Sequence, residues 1–331
     1  MRSPPDQPQR ILELLDAVYP SFALLAGMEL GLFSLIGDAS LNLEELAARL
    51  DVREDHLGAL VYTLVVAGLL VESGGAFCNS AEAQKFLVRG SPDYLGDQHG
   101  LLSNNWKRIL DTAAMIRSGN PLAKYDYQSG HAELESILSG LHPGSVRDAR
   151  LLLDRYDFSD RRSLLDIGGG TGGLATTLAE AYPDLQATVL DLPSVIPITR
   201  KYIESSGMQD RVRIATADAV RQRLDGNFDL VLARHLFQVL SSDENRALLQ
   251  NLADAVQPGS WIFVLGWVLD DTRVRPENIV GYNLILMNAY EHGQAYTETE
   301  YRTWLEDAGF EEFERHPLPD GSSILRATRS G

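Results

Sequence analysis

A glycine-rich turn is the part of the chain whose residues could most directly do chemistry. Residues 164–167 form an apolar run that contains Asp166, and they lead into Gly168-Gly169-Gly170-Thr171-Gly172-Gly173. Glycines without a Cβ atom allow a strand to turn sharply into a helix and allow a ligand to approach the backbone closely. The first amide groups of that helix then point at the ligand. We therefore expect a small polar ligand at this turn.

Two classes of cofactor match the turn. Gly168, Gly170 and Gly173 have the spacing G-x-G-x-x-G of dinucleotide-binding proteins. Asp191 ends the next apolar run, where a ribose-binding acid would stand. Asp166 distinguishes the two classes, because a carboxylate this close to the first glycine repels a pyrophosphate and attracts a cation. The sequence therefore favours S-adenosylmethionine (SAM), whose sulfonium and ammonium groups are both positive, over NAD.

The turn belongs to a regular alternation of strands and helices. We predict strands at 163–167, 187–191, 212–216, 228–233 and 261–266, with helices at 173–181, 194–206, 243–257 and 277–291. Such alternation requires a parallel sheet with right-handed crossovers. A last helix at 298–308 and extended runs at 311–317 and 322–328 predict an antiparallel edge hairpin. Ligands of such sheets lie at the carboxyl ends of the strands, where Asp166, Asp191 and Asp218 fall.

The N-terminal third has a different pattern. Apolar residues recur at helical spacing from Ile11 onward, and residues 42–78 show helix, turn, helix and a short hairpin, which is typical of a winged helix. Acidic side chains outnumber basic ones in that module, so it offers no face for phosphate binding; the residues are Glu44, Glu45, Asp51, Glu54 and Asp55 against Arg49 and Arg53. We predict a disordered lead-in at 1–10, a winged-helix domain at 11–100, a helical linker that lines the substrate pocket at 101–158, and a SAM-binding domain at 159–331.

Composition restricts the possible partners. The chain has 331 residues, with 29 Lys and Arg against 46 Asp and Glu, for a net charge of −17. This charge argues against nucleic acid or an anionic membrane surface as a partner. Cys78 is the one cysteine and cannot form an internal disulfide. We expect no apolar run to reach the length needed to span a bilayer, and we expect a cytoplasmic protein.

Further motifs follow the glycine turn in a characteristic order. They are Val189-Leu190-Asp191-Leu192-Pro193, Thr216-Ala217-Asp218-Ala219, Pro258-Gly259, and Tyr296-Thr297-Glu298 ahead of Trp304-Leu305-Glu306-Asp307-Ala308-Gly309-Phe310. With the turn, they make the chain resemble the caffeic acid/hydroxyindole type of SAM-dependent O-methyltransferases, from about Ile11 to the C-terminus. The resemblance implies a doubly wound, Rossmann-like class I methyltransferase domain and an N-terminal, all-helical winged-helix dimerisation domain.

The same resemblance implies a homodimer that methylates a small aromatic or apolar acceptor in secondary metabolism. Oxygen is the expected methyl acceptor, and SAM would be converted to S-adenosylhomocysteine. Methylation of carbon or nitrogen is the first alternative. A second alternative is a SAM-binding enzyme on the same fold that catalyses a rearrangement or cyclisation without transferring the methyl group.

Candidate cofactor residues follow the strand ends. Asp191 can accept hydrogen bonds from both ribose hydroxyls, and Asp218 with the backbone of Ala219 can read the adenine amino edge. By resemblance, Arg234 stands near the cofactor and Ser145 helps to hold its methionyl end. The full predicted set is Asp166, Gly168, Gly170, Asp191, Leu192, Asp218, Ala219, Arg234 and Ser145.

The expected general base is missing. By resemblance, the catalytic histidine position falls on Gln238, and the two glutamates that orient that histidine fall on Gly266 and Ala295. A glutamine has no titratable proton and cannot deprotonate a phenol with a pKa of about 10. A substitute base is our first hypothesis, with His292 ahead of Tyr290 and His235. An acceptor acidic enough to react by proximity is the second, and SAM use without methyl transfer is the third.

Substrate contacts are predicted from aromatic and Met residues of this region. They are Trp106, Phe237, Trp267, Met287 and Asn288, of which Met287 and Asn288 have positional support from the resemblance. No metal is expected, because no set of His, Cys or Asp has ligand spacing.

Overall fold

The computed structural model describes residues 7–91, 93–122, 124–125 and 131–331, apart from the side chains of residues 97 and 131–133. The chain divides into two compact units, residues 1–104 and 105–331. Residues 1–6 of the predicted lead-in lie outside the described residues, and the first helix already begins at Gln9. The predicted limits of the linker segment stay a prediction.

The N-terminal unit is mostly helical. Its helices are α1 (Gln9–Asp16), α2 (Val18–Glu29), α3 (Leu32–Ile36), α4 (Leu43–Leu50), α5 (Glu54–Val66) and α6 (Ala81–Phe86). Strands β1 (Leu41–Asn42), β2 (Leu70–Ser73) and β3 (Ala76–Asn79) form a small sheet in the order β1-β3-β2. The predicted helix, turn, helix and hairpin are therefore confirmed, although three short strands make the unit not all-helical.

A helix cap at the start of α4 and a shared apolar core stabilise this unit. Asn42 and Glu45 form a capping box at the start of α4, with Glu45 N donating to Asn42 Oδ1 over 2.9 Å. Such a cap satisfies amide groups that have no partner inside the helix. A buried core that includes Phe33, Leu64 and Phe77 then fixes the helices against the hairpin.

Helices α1 and α2 leave a large apolar face uncovered in the single chain. Ile11 and Leu15 are each 61% exposed, and α1 has no buried residue. The helical stretch Gln9–Glu29 is long and apolar enough, by length and composition, to cross a membrane, so our expectation that no run reaches that length is wrong. Such a stretch near an N-terminus is weak evidence for a membrane span. An apolar face of this size needs a covering surface of some kind.

The C-terminal unit contains the predicted alternation. Helix α7 (His99–Ile109) crosses the boundary between the units and is followed by α8 (Thr112–Ser118) and α9 (His131–Arg155). Strands and helices then alternate through β4 (Ser163–Ile167), α10 (Gly173–Ala181), β5 (Gln186–Asp191), α11 (Ile196–Ser206), β6 (Val212–Thr216), β7 (Phe228–Arg234), α12 (Ser242–Ala253) and β8 (Val256–Gly266). The last elements are β9 (Val268–Leu269), α13 (Glu277–Ala289), β10 (Tyr296–Thr297), α14 (Glu298–Asp307), β11 (Phe310–Pro317) and β12 (Ser323–Arg329).

A seven-stranded sheet with the order β11-β12-β8-β7-β4-β5-β6 organises this unit. Strands β4 to β8 run parallel, and the β11–β12 hairpin closes one edge antiparallel to β8. The central strand β4 lies between β5 and β7, so the order of the strands reverses beside it. Ligands of doubly wound sheets bind at such a reversal, outside the carboxyl ends of the strands. Buried apolar clusters cover both faces of the sheet, which explains why its strands are nearly continuous apolar runs.

Candidate cofactor and acceptor site

The glycine turn after β4 has a backbone that only glycine adopts easily. Gly168, Gly170 and Gly172 have φ angles of 65°, 56° and 76°, in the left-handed region. Gly168 N donates to the carbonyl of Leu190 over 2.8 Å and joins the turn to β5. A Cβ atom on Gly169 would lie 2.8 Å from Cγ of Asp166. The turn is therefore closed tightly over the end of β4.

Asp191 holds the turn from the end of β5. Its Oδ2 accepts a hydrogen bond from Gly170 N and its Oδ1 accepts one from Leu192 N, each over 2.8 Å. Burial raises the pKa of Asp191 to about 6. Each carboxylate oxygen has a second lone pair, so the group can still accept hydrogen bonds from two hydroxyls of a ligand. Leu192 takes part through its backbone.

Asp166 lies beneath the turn. Its side chain is fully buried, its Oδ2 accepts from Ala175 N over 3.3 Å, and its Oδ1 has no hydrogen-bond partner. Burial, with a contribution from nearby Asp191, raises its pKa to about 7. The structure places this carboxylate, which we expected at the ligand, under the backbone of the turn, and its contribution to cofactor binding stays a prediction. An unpaired buried carboxylate oxygen is stabilised by a cation bound nearby, which fits the charge of SAM.

The segment after β6 lies beside Asp191. Ala217 N donates to the carbonyl of Asp191 over 3.2 Å. Asp218 accepts from Val220 N over 3.1 Å, and its side chain is 37% exposed. Asn251, which sequence reasoning missed, donates to the carbonyl of Ala219 over 3.0 Å. The segment is thus fixed with its Asp side chain accessible, and its contact with adenine stays a prediction.

Helix α9 packs its His142-Pro143-Gly144-Ser145 segment against the turn. His142 Nδ1 lies 2.8 Å from Thr171 Oγ1, and Ser145 Oγ donates to the carbonyl of His142 over 2.7 Å. A Cβ atom on Gly173 would overlap the Ser145 hydroxyl. Ser145 therefore lies beside the turn, and its contact with the methionyl end of SAM stays a prediction. The sequence indicated only a surface or hydrogen-bonding role for His142, and the structure shows the hydrogen bond.

Arg234 is part of a buried ion pair. Its Nε lies 2.7 Å from Oδ2 of Asp148, and the two side chains are 11% and 10% exposed. Gly144 provides the space, since a Cβ atom there would lie 2.7 Å from Nη2 of Arg234. The pair joins the end of β7 to α9, and Asp148 was not singled out from the sequence. The structure therefore shows a connection between elements for Arg234, while its contact with a cofactor stays a prediction.

Gln238 and His235 lie together after β7. Gln238 is 4% exposed, and its Oε1 lies 3.1 Å from Nδ1 of His235 and 3.2 Å from N of Trp267. His235 has a φ of 53°, in the left-handed region. Burial, with the adjacent Arg234, lowers the pKa of His235 to about 3. A histidine with so low a pKa is neutral at physiological pH and is a weak base.

Aromatic rings extend from this pair. The His235 and Trp267 ring centroids lie 5.3 Å apart, and Trp267 stacks on Tyr282 at 4.4 Å with an interplanar angle of 16°. Tyr282 was not predicted and has no motif that would have revealed it. Met287 and Trp106 are half-buried, and their contact with substrate stays a prediction.

Two predicted residues have other contacts in the structure, and a third is exposed. Phe237 is 1% exposed and packs against Tyr301, so it belongs to the core rather than to a pocket. Asn288 uses its Nδ2 to donate to Thr112 Oγ1 and to the carbonyl of Leu284. His292 is exposed on the turn after α13, and no hydrogen bond joins it to Gln238 in the part of the chain that the structure describes. The role of His292 as the missing base stays a prediction.

The remaining predicted positions of this region are also described by the structure. Gly266 and Ala295 are both buried, and Tyr290 packs edge-on against Tyr125 at 5.4 Å. Among the described residues, no cluster of three His, Cys, Asp or Glu side chains could hold a metal ion.

Comparisons with known proteins identify both units. The O-methyltransferase domain family matches residues 117–311, and the O-methyltransferase dimerisation domain family matches residues 12–89. The chain is 30% identical to a 3-hydroxy-5-methyl-1-naphthoate 3-O-methyltransferase of Streptomyces sahachiroi, over 98% of this chain and 96% of that protein. It is 28% identical to the N,N-dimethyltransferase OxyT of Streptomyces rimosus, over 93% of this chain and 92% of that protein.

A solved structure has the same fold. Human N-acetylserotonin methyltransferase in complex with SAM superposes with a TM-score of 0.85 at 22% identity, covering 100% of both chains. This likeness concerns the fold, whereas the family matches extend over most of the chain. Since the sheet, the glycine turn and both family matches agree, this chain belongs to the SAM-dependent O-methyltransferases that carry an N-terminal dimerisation domain.

Proposed function

We propose that this enzyme transfers the methyl group of SAM to a hydroxyl oxygen of a small aromatic molecule in secondary metabolism. The observation that carries the proposal is the glycine turn, closed by Asp191 and lying over the unpaired carboxylate of Asp166. The relative from S. sahachiroi, which is a naphthoate O-methyltransferase, supports an aromatic hydroxyl as the acceptor. The stacked Trp267 and Tyr282 rings supply a flat surface suited to such a molecule.

In this proposal, the residues of the chain bind and orient SAM and the acceptor, and none of them forms a covalent bond to either. Asp191 accepts the ribose hydroxyls, the segment at Asp218 and Ala219 receives the adenine, and Ser145 lies at the methionyl end. When SAM is bound, it supplies an electrophilic methyl carbon on a sulfonium. Alignment of an acceptor oxygen with that carbon in a dry site gives most of the rate enhancement.

Methylation of nitrogen is the second candidate. The similarity to an N,N-dimethyltransferase favours it, and so does the absence of a strong base beside Gln238 in the described part of the chain, because a neutral amine needs no deprotonation before it attacks.

A transfer assay separates these candidates. The protein is incubated with SAM labelled with ¹³C at the methyl group and with a panel of hydroxylated and aminated naphthoates. We expect the label on an oxygen of a hydroxylated member, located by NMR of the product. Label on nitrogen or carbon would support an alternative, and SAM binding with no transfer to any member would contradict the proposal.

We also propose that the enzyme is a cytoplasmic homodimer that binds neither nucleic acid nor a membrane. The dimerisation-domain match covers the exposed apolar face of α1 and α2, which explains that face without a bilayer. The acidic first turn of α5, with Glu54 and Asp55, would repel DNA phosphates.

A further inference from the structure

Hydrogen bonding fixes the orientation of the Gln238 amide. A backbone N–H can only donate, so the Gln238 atom that lies 3.2 Å from Trp267 N must be the oxygen. The same oxygen lies 3.1 Å from Nδ1 of His235. The reverse orientation would place the amide NH₂ group against the Trp267 N–H. The Gln238 oxygen therefore points toward His235 and Trp267 and accepts one hydrogen bond from each.

This orientation also fixes the tautomer of His235. Because the Gln238 oxygen can only accept, Nδ1 of His235 must carry the hydrogen. The ring is neutral, since burial and Arg234 lower its pKa to about 3. Arg147 and Asp320 are the other charged groups that act on it, with opposite signs. Nε2 of His235 is thus left as a hydrogen-bond acceptor of very low basicity.

The Gln238 amide nitrogen forms no hydrogen bond to a described residue, and it is not one of the fully buried atoms that lack a partner. The side chain is 4% exposed, and its hydrogen bonds in the structure use the oxygen. The nitrogen is therefore accessible from outside the packed interior, although most of the side chain is buried. The two N–H bonds of this amide are therefore available to an acceptor atom of a bound molecule. The neighbouring Trp267 and Tyr282 rings place an aromatic surface beside them.

From this geometry we infer that Gln238 is a positioning donor for a methyl acceptor that arrives already ionised, namely an aromatic hydroxyl acidified by conjugation with a carbonyl group. The inference rests on the proposed function and specifies its substrate class. The proton leaves the hydroxyl to solvent before binding. The oxygen anion, held by the Gln238 N–H, forms the new bond to the methyl carbon while the carbon–sulfur bond breaks and its electron pair stays on sulfur.

An ordinary phenol does not fit this arrangement. Its pKa is about 10, and the nearest imidazole is neutral, already donates through Nδ1 and is too weakly basic to take the proton. An anion, in contrast, forms a charge-assisted hydrogen bond with the amide, which is stronger than a neutral one.

Matched pairs of acceptors test the inference. Each pair has the same hydroxynaphthalene ring, with and without a carbonyl conjugated to the hydroxyl. At pH 7 we expect kcat/KM to be at least about 100-fold higher for the carbonyl-bearing member, in line with the usual contribution of a general base. The pH profile should rise with the pKa of the acceptor and move when the acceptor is changed.

Equal rates within the pairs, or an inflection that stays at one pH for all acceptors, would show a protein base and overturn the inference while leaving the proposed function intact. Absence of transfer to every hydroxyl, with SAM bound, would instead remove the proposed function and the inference together.

Gln238→Glu is the sharpest variant. It keeps the size of the side chain and an oxygen for Trp267 and His235, but it replaces the free donor with a carboxylate that repels an anion. We expect at least about a hundredfold loss of kcat with the acidic acceptor, and unchanged SAM affinity by calorimetry. Gln250→Glu, at an exposed position of α12, is the matched control and should retain full activity. A Gln238→Glu enzyme that binds SAM normally and stays fully active would overturn the inference.

Discussion

Asp191 has two parts to play in the expected cofactor site, one in the protein and one toward the ligand. It accepts two backbone hydrogen bonds that shape the glycine turn, and it stands where the ribose hydroxyls are expected. Asp166 contributes in another way, because it is sealed beneath the turn and keeps an unpaired oxygen. We therefore expect Asp191 to contact the cofactor directly and Asp166 to act on it through its charge.

Removal of the Asp191 carboxylate should weaken the binding of SAM. Asp191→Ala leaves the N–H groups of Gly170 and Leu192 and the ribose hydroxyls without an acceptor, which costs about 1–3 kcal/mol. Isothermal titration calorimetry should show the dissociation constant for SAM rising roughly 5- to 150-fold. Asp184→Ala, at an exposed loop position before β5, is the control. An unchanged affinity in Asp191→Ala would exclude the ribose assignment.

The binding of SAM should depend on pH in a defined direction. Burial raises the pKa of Asp191 to about 6 and that of Asp166 to about 7. A cationic cofactor favours the ionised carboxyls, so binding releases protons and becomes tighter as the pH rises from about 5.5 to 7.5, by at most about tenfold per pH unit and proton. Calorimetry in buffers with different ionisation enthalpies measures the released protons. Proton uptake on binding would contradict the predicted direction.

Helix α9 and the glycine turn form one packed element pair. His142 contacts Thr171, Ser145 lies against Gly173, and Arg234 reaches Asp148 through the space at Gly144. These contacts need small residues on both sides. They explain why glycine occupies positions 144 and 173, although neither position has a left-handed φ angle. The contacts also connect the end of β7 to the turn, so a displacement of α9 should change the affinity for the cofactor.

A glycine-to-alanine substitution tests this packing. Alanine normally stabilises a helix relative to glycine by about 0.5–1 kcal/mol. In Gly173→Ala the new methyl group meets Ser145, so we expect a loss of about 1–3 kcal/mol from overpacking and weaker SAM binding. Gly281→Ala on α13 has open space around it and should be stabilising. Denaturant unfolding of both variants measures the change in the free energy of unfolding, which should fall for Gly173→Ala and rise for Gly281→Ala. Stabilisation by Gly173→Ala would refute the packing argument.

The sheet could be predicted from the sequence because its strands are short apolar runs separated by turn residues. Strand β4 and helix α10 have the predicted bounds, while β8 begins at Val256 rather than at residue 261 because it continues through Pro258-Gly259. The site was predictable only in part. Asp191 could be predicted because it ends a strand. The tautomer of His235 and the burial of Phe237 could not, because they depend on contacts between segments that are distant in sequence.

On the scale of the whole molecule, the apolar face of α1 and α2 requires a partner. Ile11 and Leu15 are more than half exposed in the single chain, within the region that matches a dimerisation domain. Exposed apolar surface of this kind is typical of obligate interfaces.

Charge placed on this face should dissociate the dimer. We expect the wild-type chain to sediment as a dimer at low micromolar concentration, with an interface well above roughly 2,000 Å². The double variant Ile11→Glu and Leu15→Glu should sediment as a monomer, because it buries unpaired carboxylates in the interface. Val274→Glu, which changes an exposed apolar residue of the C-terminal unit, should stay dimeric. A wild-type chain that is monomeric and fully active would contradict this account.

The most direct test of the site as a whole is a crystal structure of the enzyme with S-adenosylhomocysteine and an acidic hydroxynaphthoquinone acceptor. We expect the ribose hydroxyls on Asp191 and the acceptor oxygen within hydrogen-bond distance of the Gln238 amide nitrogen, beside Trp267. A ribose bound away from Asp191, or an acceptor oxygen directed at another side chain with the Gln238 amide still unpaired, would contradict it.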